Sequence, residues 1–157
     1  MVFVTVGSQK FPFDRLVRKV DEMFRDHLIQ EVFIQTGASR YTPSCHYQAF
    51  CQPGHFEGLL ESCEPLITHG GAGTMVEAVK RGKRTIAVPR LARYGEHVDD
   101  HQMELAMRFH EMGLLYACMD VDQLPAALHE VKTRSFNTFR SNTEVFLASL
   151  GCYLRGL

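Results

Sequence analysis

Thr68-His69-Gly70-Gly71-Ala72-Gly73-Thr74 is the segment of this sequence best equipped for chemistry. It follows a short apolar run, Leu66 to Thr68, and leads into residues with helical spacing. The first amides of a helix have no partners within it, and glycines let a ligand approach them closely. A phosphate group satisfies both conditions. The same glycines also suit a tight turn with no ligand. The spacing matches neither common phosphate fingerprint, because G-x-x-x-x-G-K-(S/T) is absent and Gly70-Gly71-x-Gly73 is not G-x-G-x-x-G. An ordinary nucleoside triphosphatase and a dinucleotide oxidoreductase are therefore disfavoured. His69 could donate to a phosphate oxygen, helped by some charge on its ring, or it could simply cap a loop. Glu77 falls about one turn into the following helix. A carboxylate beside an anion site makes sense where it meets hydroxyl donors, as a ribose diol would supply. Otherwise it is a solvated residue favoured by the helix dipole.

Glu96-His97-Val98-Asp99-Asp100-His101-Gln102 gathers carboxylates, imidazoles and an amide at a junction between loop and helix. Asp99 or Asp100 can cap the helix, but the density exceeds what a cap requires. His97 and His101 have a spacing that can bind a metal, yet there is no H-E-x-x-H and no clear third ligand. Hydrogen bonding to sugar hydroxyls suits the mixture better. Cys45, His46, Cys51, His55 and Cys63 match no common zinc spacing and lack a C-x-x-C. Five scattered cysteines are an odd number, which argues for reduced thiols in a cytoplasmic protein. Arg90 and Arg93 would favour an acidic sugar if they face the ligand, and are otherwise solvated loop residues. Lys80 to Arg84 is read as a cationic, solvated helix end, less readily as a patch for an anionic membrane or partner.

The elements that must position these groups alternate along the chain. Strands are expected at Met1 to Val6, Val32 to Gln35, Tyr47 to Cys51, Leu66 to Thr68, Thr85 to Val88 and Leu114 to Cys118. Helices are expected from Pro12 through Phe24, around Leu59 and Leu60, from about Thr74 to Arg81, from Asp99 to Met112 and from Val121 to Val131. A last helix is expected over about 139–154, with Phe139, Val145, Phe146, Leu147, Leu150, Tyr153 and Leu154 forming an apolar face. Pro53-Gly54 reads as a turn. Alternation of this kind predicts an α/β fold: one Rossmann-like, doubly wound parallel sheet, with ligands outside the carboxyl ends of its strands. Gly7-Ser8, Thr36-Gly37 and His69 to Gly73 all fall at that end. The chain has 157 residues, 45% apolar and 22% charged, which fits one domain. Its net charge of −1 leaves nucleic-acid binding without an electrostatic footprint. No apolar run approaches the ~18 residues of a membrane span, and Met1 to Val6 lacks the basic flank of a signal peptide.

Taken together, these motifs resemble the donor-binding, C-terminal half of a GT-B glycosyltransferase of the family 28 type. They are Gly7-Ser8 after a strand, His69 to Thr74 with Glu77, then Gly82, Pro89, Gly95-Glu96-His97 and Asp100-His101-Gln102. The closer likeness is to the small catalytic subunits of two-component enzymes. These act in bacterial capsule and exopolysaccharide synthesis and in the eukaryotic transfer of N-acetylglucosamine to a dolichol-linked sugar. The resemblance runs from Met1 to about Leu115. It implies that Gly7, Ser8, His69, Gly70, Gly71, Ala72, Gly73 and Thr74 hold the donor diphosphate and that Glu77 binds the uridine ribose. It further implies that Asp100, His101 and Gln102 contact the donor sugar. Family members often carry Asn where this chain has Leu105, so one polar contact to the donor is missing or supplied otherwise.

The reaction implied is inverting transfer of a hexose from a UDP-sugar to a lipid-linked acceptor, with no cofactor and no metal expected. The acceptor domain, and with it the more natural source of a general base, is expected on a membrane-anchored partner subunit; the terminal helix either docks on that partner or packs on its own sheet. His97 and Glu96 are the candidate bases within this chain. The chain would then be cytoplasmic, held at the inner face of the membrane through its partner, as a heterodimer. The rival readings are a nucleotide-sugar-binding or regulatory module without turnover, and a sugar-nucleotide epimerase, which this length does not accommodate.

Overall fold

The computed structural model describes residues 1–139, 148 and 150–152 of the chain. The first strand, β1, covers Val2–Thr5, and all its residues are buried. That is how a parallel strand covered on both faces must look. Strands β2 (Val32–Gln35), β3 (His46–Gln48), β4 (Leu66–His69), β5 (Thr85–Val88) and β6 (Tyr116–Ala117) join it in one six-stranded sheet. The order is β3-β2-β1-β4-β5-β6, and every pairing is parallel. The chain therefore reverses its direction of winding between β1 and β4, and a crevice opens there at the carboxyl ends of the strands.

Helices cover both faces. Helix α1 (Asp14–Arg25) turns Leu16, Val17, Val20 and Met23 inward and packs with α5 (Leu124–Thr133) on Val2, Val4 and Val6. Helices α2 (Pro53–Ser62), α3 (Ala72–Lys80) and α4 (His101–Glu111) lie on the other face, over Phe3, Leu66 and Ala87. Helix α4 buries Gln102, Leu105, Ala106 and Phe109, which recur at helical spacing.

Several boundaries differ from expectation. Pro53-Gly54 is not a turn, since Pro53 opens α2, where its missing donor costs nothing. The third strand is shifted toward the N-terminus, to His46–Gln48, and the sixth shrinks to Tyr116–Ala117. Both are edge strands, with pairing on one side only to define their length. Helix α3 begins at Ala72 rather than Thr74, so Gly73 lies inside its first turn. Ala92–Tyr94, expected as loop, forms a short 3-10 turn, and another, Val121–Gln123, precedes α5. Phe139 and Leu150 pack on the cluster between α3 and α4. Val145, Phe146, Leu147, Tyr153 and Leu154 lie outside the described residues. Among the described residues, no helix is long and apolar enough to cross a membrane.

Candidate functional site

The crevice between β1 and β4 is lined by the two glycine-bearing turns. Gly7 follows β1 with φ +76°, a conformation glycine adopts without strain. Gly71 is the N-cap of α3 and no side chain caps the helix, so its first amides are not claimed by a capping group. Ala72 and Gly73 are exposed, and nothing lies within 4 Å of where a Gly73 Cβ would be. Close-packed turns and open amides therefore meet at the same place.

Between the turns sits His69, buried, with its ring filling the space that side chains on Gly7 or Gly71 would need. A Cβ on Gly7 would fall 2.5 Å from the ring and one on Gly71 2.2 Å from it. The expected charge on this imidazole is absent near neutrality. Burial, then the nearby Arg90 cation, pushes its pKa down from 6.5 to about 4, against the effect of a hydrogen bond with the Thr5 backbone. His69 is thus a neutral wedge that sets the turns apart. Gly70 packs against Gln102, whose carbonyl oxygen would lie 2.6 Å from a Gly70 Cβ.

Glu77 stands on α3, its side chain 45% exposed, and accepts from Arg81 Nε at 2.7 Å. Most of the basic run at the end of that helix is paired: Arg81 also reaches Glu61, Arg84 meets Glu64, and Lys83 donates to the Glu61 carbonyl, while Lys80 is exposed.

The polar cluster of the β5–α4 loop separates into two groups. Glu96 is buried, and both its carboxylate oxygens are occupied. Arg15 grips them with Nε and Nη2, each at 2.9 Å, and the Leu91 amide donates to Oε2 at 3.0 Å. A carboxylate held this way orders its loop and is committed chiefly to Arg15 and the Leu91 amide. His97 is arranged differently. Its Nδ1 lies 3.0 Å from Asp99 Oδ1, and its ring packs on Phe11 at 5.9 Å between centroids. The Asp99 amide also approaches Nδ1, at 3.4 Å; in the tautomer that instead directs an Nδ1 proton at the Asp99 carboxylate, Nε2 is an acceptor. Partial burial would push Asp99 up, but the His101 amide and the charges of His101 and His97 outweigh it and lower its pKa. Asp100 caps a turn rather than the helix, accepting from the Ala92 amide at 2.8 Å. His101 is exposed, its ring 3.4 Å from Asp99. Gln102 is buried, and its side-chain oxygen accepts from the Arg90 amide at 3.1 Å.

Arg90 does not face a ligand as the sequence allowed: it is fully buried. The sequence offered one hint of this, Pro89-Arg90 directly after a buried strand, where a solvated cation is out of place, and none of the Arg15 fork on Glu96. Among the described residues, no three His, Cys, Asp or Glu side chains converge as metal ligands would.

A parallel sheet wound in this order, with open helix amides at its switch point, is a Rossmann-like domain of the kind that takes nucleotides at that crevice. Residues 1–150 match the glycosyltransferase family 28 C-terminal domain, and the chain belongs to that family. It is 28% identical over 127 residues to the mouse UDP-N-acetylglucosamine transferase subunit ALG13, and 26% identical over 128 residues to the human one. These stretches cover 74% of this chain and only 10% and 11% of those proteins, so it spans about a tenth of their length. Among solved structures it resembles the kitacinnamycin glycotransferase (TM-score 0.63, 20% identity, 85% of this chain and 35% of that one). It also resembles CalG4, the calicheamicin glycosyltransferase (TM-score 0.61, 17% identity, 84% and 34%). SsfS6 of Streptomyces sp. SF2575, a glycosyltransferase solved with thymidine diphosphate, gives a TM-score of 0.56 at 18% identity, with 85% and 33% covered. These likenesses are of fold.

Proposed function

We propose that this domain is the donor-binding half of a UDP-sugar-dependent glycosyltransferase that moves a hexose onto a lipid-linked acceptor. The observation that carries this reading is the uncapped N-terminus of α3 at the switch point, with Gly73 open in its first turn. As the glycosidic bond breaks, negative charge grows on the departing diphosphate. Amides already fixed in place, together with the helix dipole, stabilise that charge without reorganising. This arrangement underlies the expectation that transfer proceeds without a metal. Gly7 and Ser8 close the site from β1, Glu77 takes the ribose hydroxyls by letting go of Arg81, and Asp100, His101 and Gln102 lie on the donor-sugar side. Gln102 does so through its amide nitrogen, since its oxygen is engaged by Arg90.

Inversion by direct displacement needs a base on the acceptor hydroxyl. Within this chain His97 is equipped for it, oriented by Asp99, whereas Glu96 is committed to Arg15. A GT-B cleft needs a second domain to bind the acceptor. We assign that part, with the alternative source of the base, to a membrane-anchored partner subunit. In this reading the domain works at the inner face of the membrane in polysaccharide synthesis; what supports the partner is that the ALG13 relatives are named as subunits.

Calorimetric titration with UDP, a panel of UDP-sugars and thymidine diphosphate tests the donor site. Uridine nucleotides should bind, and Glu77→Ala should weaken them. No binding of any uridine nucleotide would end the donor reading. Binding without sugar transfer, in the presence of the acceptor subunit, would identify a module that senses nucleotide sugars instead.

A further inference from the structure

Arg90 has the least expected environment in the molecule. Its side chain is wholly buried, and its cation is met by backbone oxygens and one aromatic face. Nη2 donates to the Val6 carbonyl at 2.6 Å. Nη1 donates to Phe11 O at 2.8 Å, to Pro12 O at 3.3 Å and to Glu96 O at 3.3 Å. The guanidinium carbon stands 4.9 Å from the centre of the Phe13 ring. Nε has no partner among the described residues. Burial pulls the pKa down to about 10, so the group stays protonated at neutral pH.

A cation buried this deeply is costly to desolvate, and an apolar side chain of similar volume often fills such a place with no loss of stability. Arg90 therefore contributes something other than packing. Its partners show what that is. Val6 and Phe11 bracket a loop whose middle residues, Ser8, Gln9 and Lys10, are exposed at the crevice. Gly7, next to Val6, lies against His69, and Phe11 packs on the His97 ring. The same Nη1 that holds Phe11 reaches the carbonyl of Glu96, which immediately precedes His97. The main chain of Arg90 is tied as well, through its amide to Gln102, which itself abuts Gly70. A planar fork with several donors at fixed angles can hold carbonyls of separate loops at once, which a lysine ammonium on a flexible stem does poorly.

We propose that Arg90 is a positioning residue: one buried guanidinium staples both ends of the Gly7–Phe11 loop to the loop that carries His97. The diphosphate side and the His97 side of the crevice then hold together or loosen together. The inference deepens the donor-site reading and rests on it for its catalytic meaning. The stapling itself can be judged separately.

The test uses native-state amide exchange on the full chain. Gly7 N donates to Thr5 Oγ1, Leu91 N to Glu96 Oε2, and Glu96 N to Leu91 O, so each has protection to lose. In the wild type these amides should exchange through one opening, with the same denaturant dependence. In Arg90→Lys all of them should exchange at least about tenfold faster while the β4 and β5 ladder amides keep their rates, and UDP affinity should fall about tenfold. In Arg90→Met the His69 ring, whose pKa is lowered to about 4 by burial and then by the Arg90 cation, should also titrate at higher pH, because that cation is gone. Independent opening of the two loops in the wild type would overturn the proposal, and that measurement stands even if both variants fail to fold. A folded Arg90→Lys with unchanged exchange in either loop would also overturn it. If the wild type binds no UDP, the donor reading fails, while the exchange data still decide whether Arg90 staples the loops.

Discussion

The His69 imidazole occupies the space that a side chain on Gly71 would need, with Nε2 2.2 Å from where its Cβ would lie. The glycine at the N-cap of α3 and the histidine at the end of β4 are thus one steric unit. Gly71→Ala must displace the ring, and overpacking of this kind costs ~1–3 kcal/mol. Thermal melts of the variant should show that loss, and UDP titration a weakened site. A variant with wild-type stability would show that the ring has another place to go.

Gly73→Ala should separate folding from binding. Its Cβ meets nothing within 4 Å, and alanine in place of glycine favours a helix by ~0.5–1 kcal/mol. The variant should melt at the same temperature or higher, yet bind UDP more weakly, because the methyl group covers the amides the diphosphate approaches. Unaltered affinity would mean that the ligand does not come that close.

The depressed pKa of His69 makes stability depend on pH. The folded chain keeps the ring neutral down to about 4, whereas in the unfolded chain it protonates near 6.5. Between these values the unfolded state binds more protons. The stabilisation is therefore complete above about pH 6.5 and is lost as pH falls toward 4. The loss is on the order of 3 kcal/mol, at 1.36 kcal/mol per unit. Denaturant unfolding at pH 7 and pH 4.5 should show a decline that His69→Asn lacks. Equal declines in both proteins would remove His69 as the cause.

Arg15 and Glu96 form a largely buried pair, with side chains 18% and 5% exposed. Removing either partner should destabilise the fold by ~3 kcal/mol or more, because the survivor is left buried and charged. A double-mutant cycle with Arg15→Met and Glu96→Leu should give a coupling energy of ~1–3 kcal/mol. Glu96→Gln should retain transfer activity in proportion to the folded fraction. A complete loss of turnover in folded Glu96→Gln would return the residue to the list of bases.

Glu77 differs because its pair with Arg81 is half exposed and worth at most ~1 kcal/mol. Glu77→Ala should melt close to the wild type and bind UDP about tenfold more weakly, the effect of one hydrogen bond to a charged group. Wild-type protein should prefer UDP over 2′-deoxy-UDP, and the variant should not. A preference that survives the substitution would place the ribose elsewhere.

Local backbone chemistry is what the sequence by itself determined. Apolar runs and helical spacing gave the parallel sheet and the inward faces of α1 and α4, because burial leaves its period in the chain. The glycines after β1 and β4 marked the crevice, because only glycine suits φ +76° at Gly7 or the close approach at Gly71. Edge strands and the start of α2 were misjudged, since pairing on one side sets few limits and Pro53 suits a turn and a helix start alike. Tertiary structure alone decided which polar residues of the Glu96–Gln102 cluster are engaged in holding the fold. Arg90 reaches Val6 across 84 positions, and Arg15 reaches Glu96 across 81. Such contacts depend on how crossovers bring loops together in space, and no periodicity or spacing within the chain encodes them.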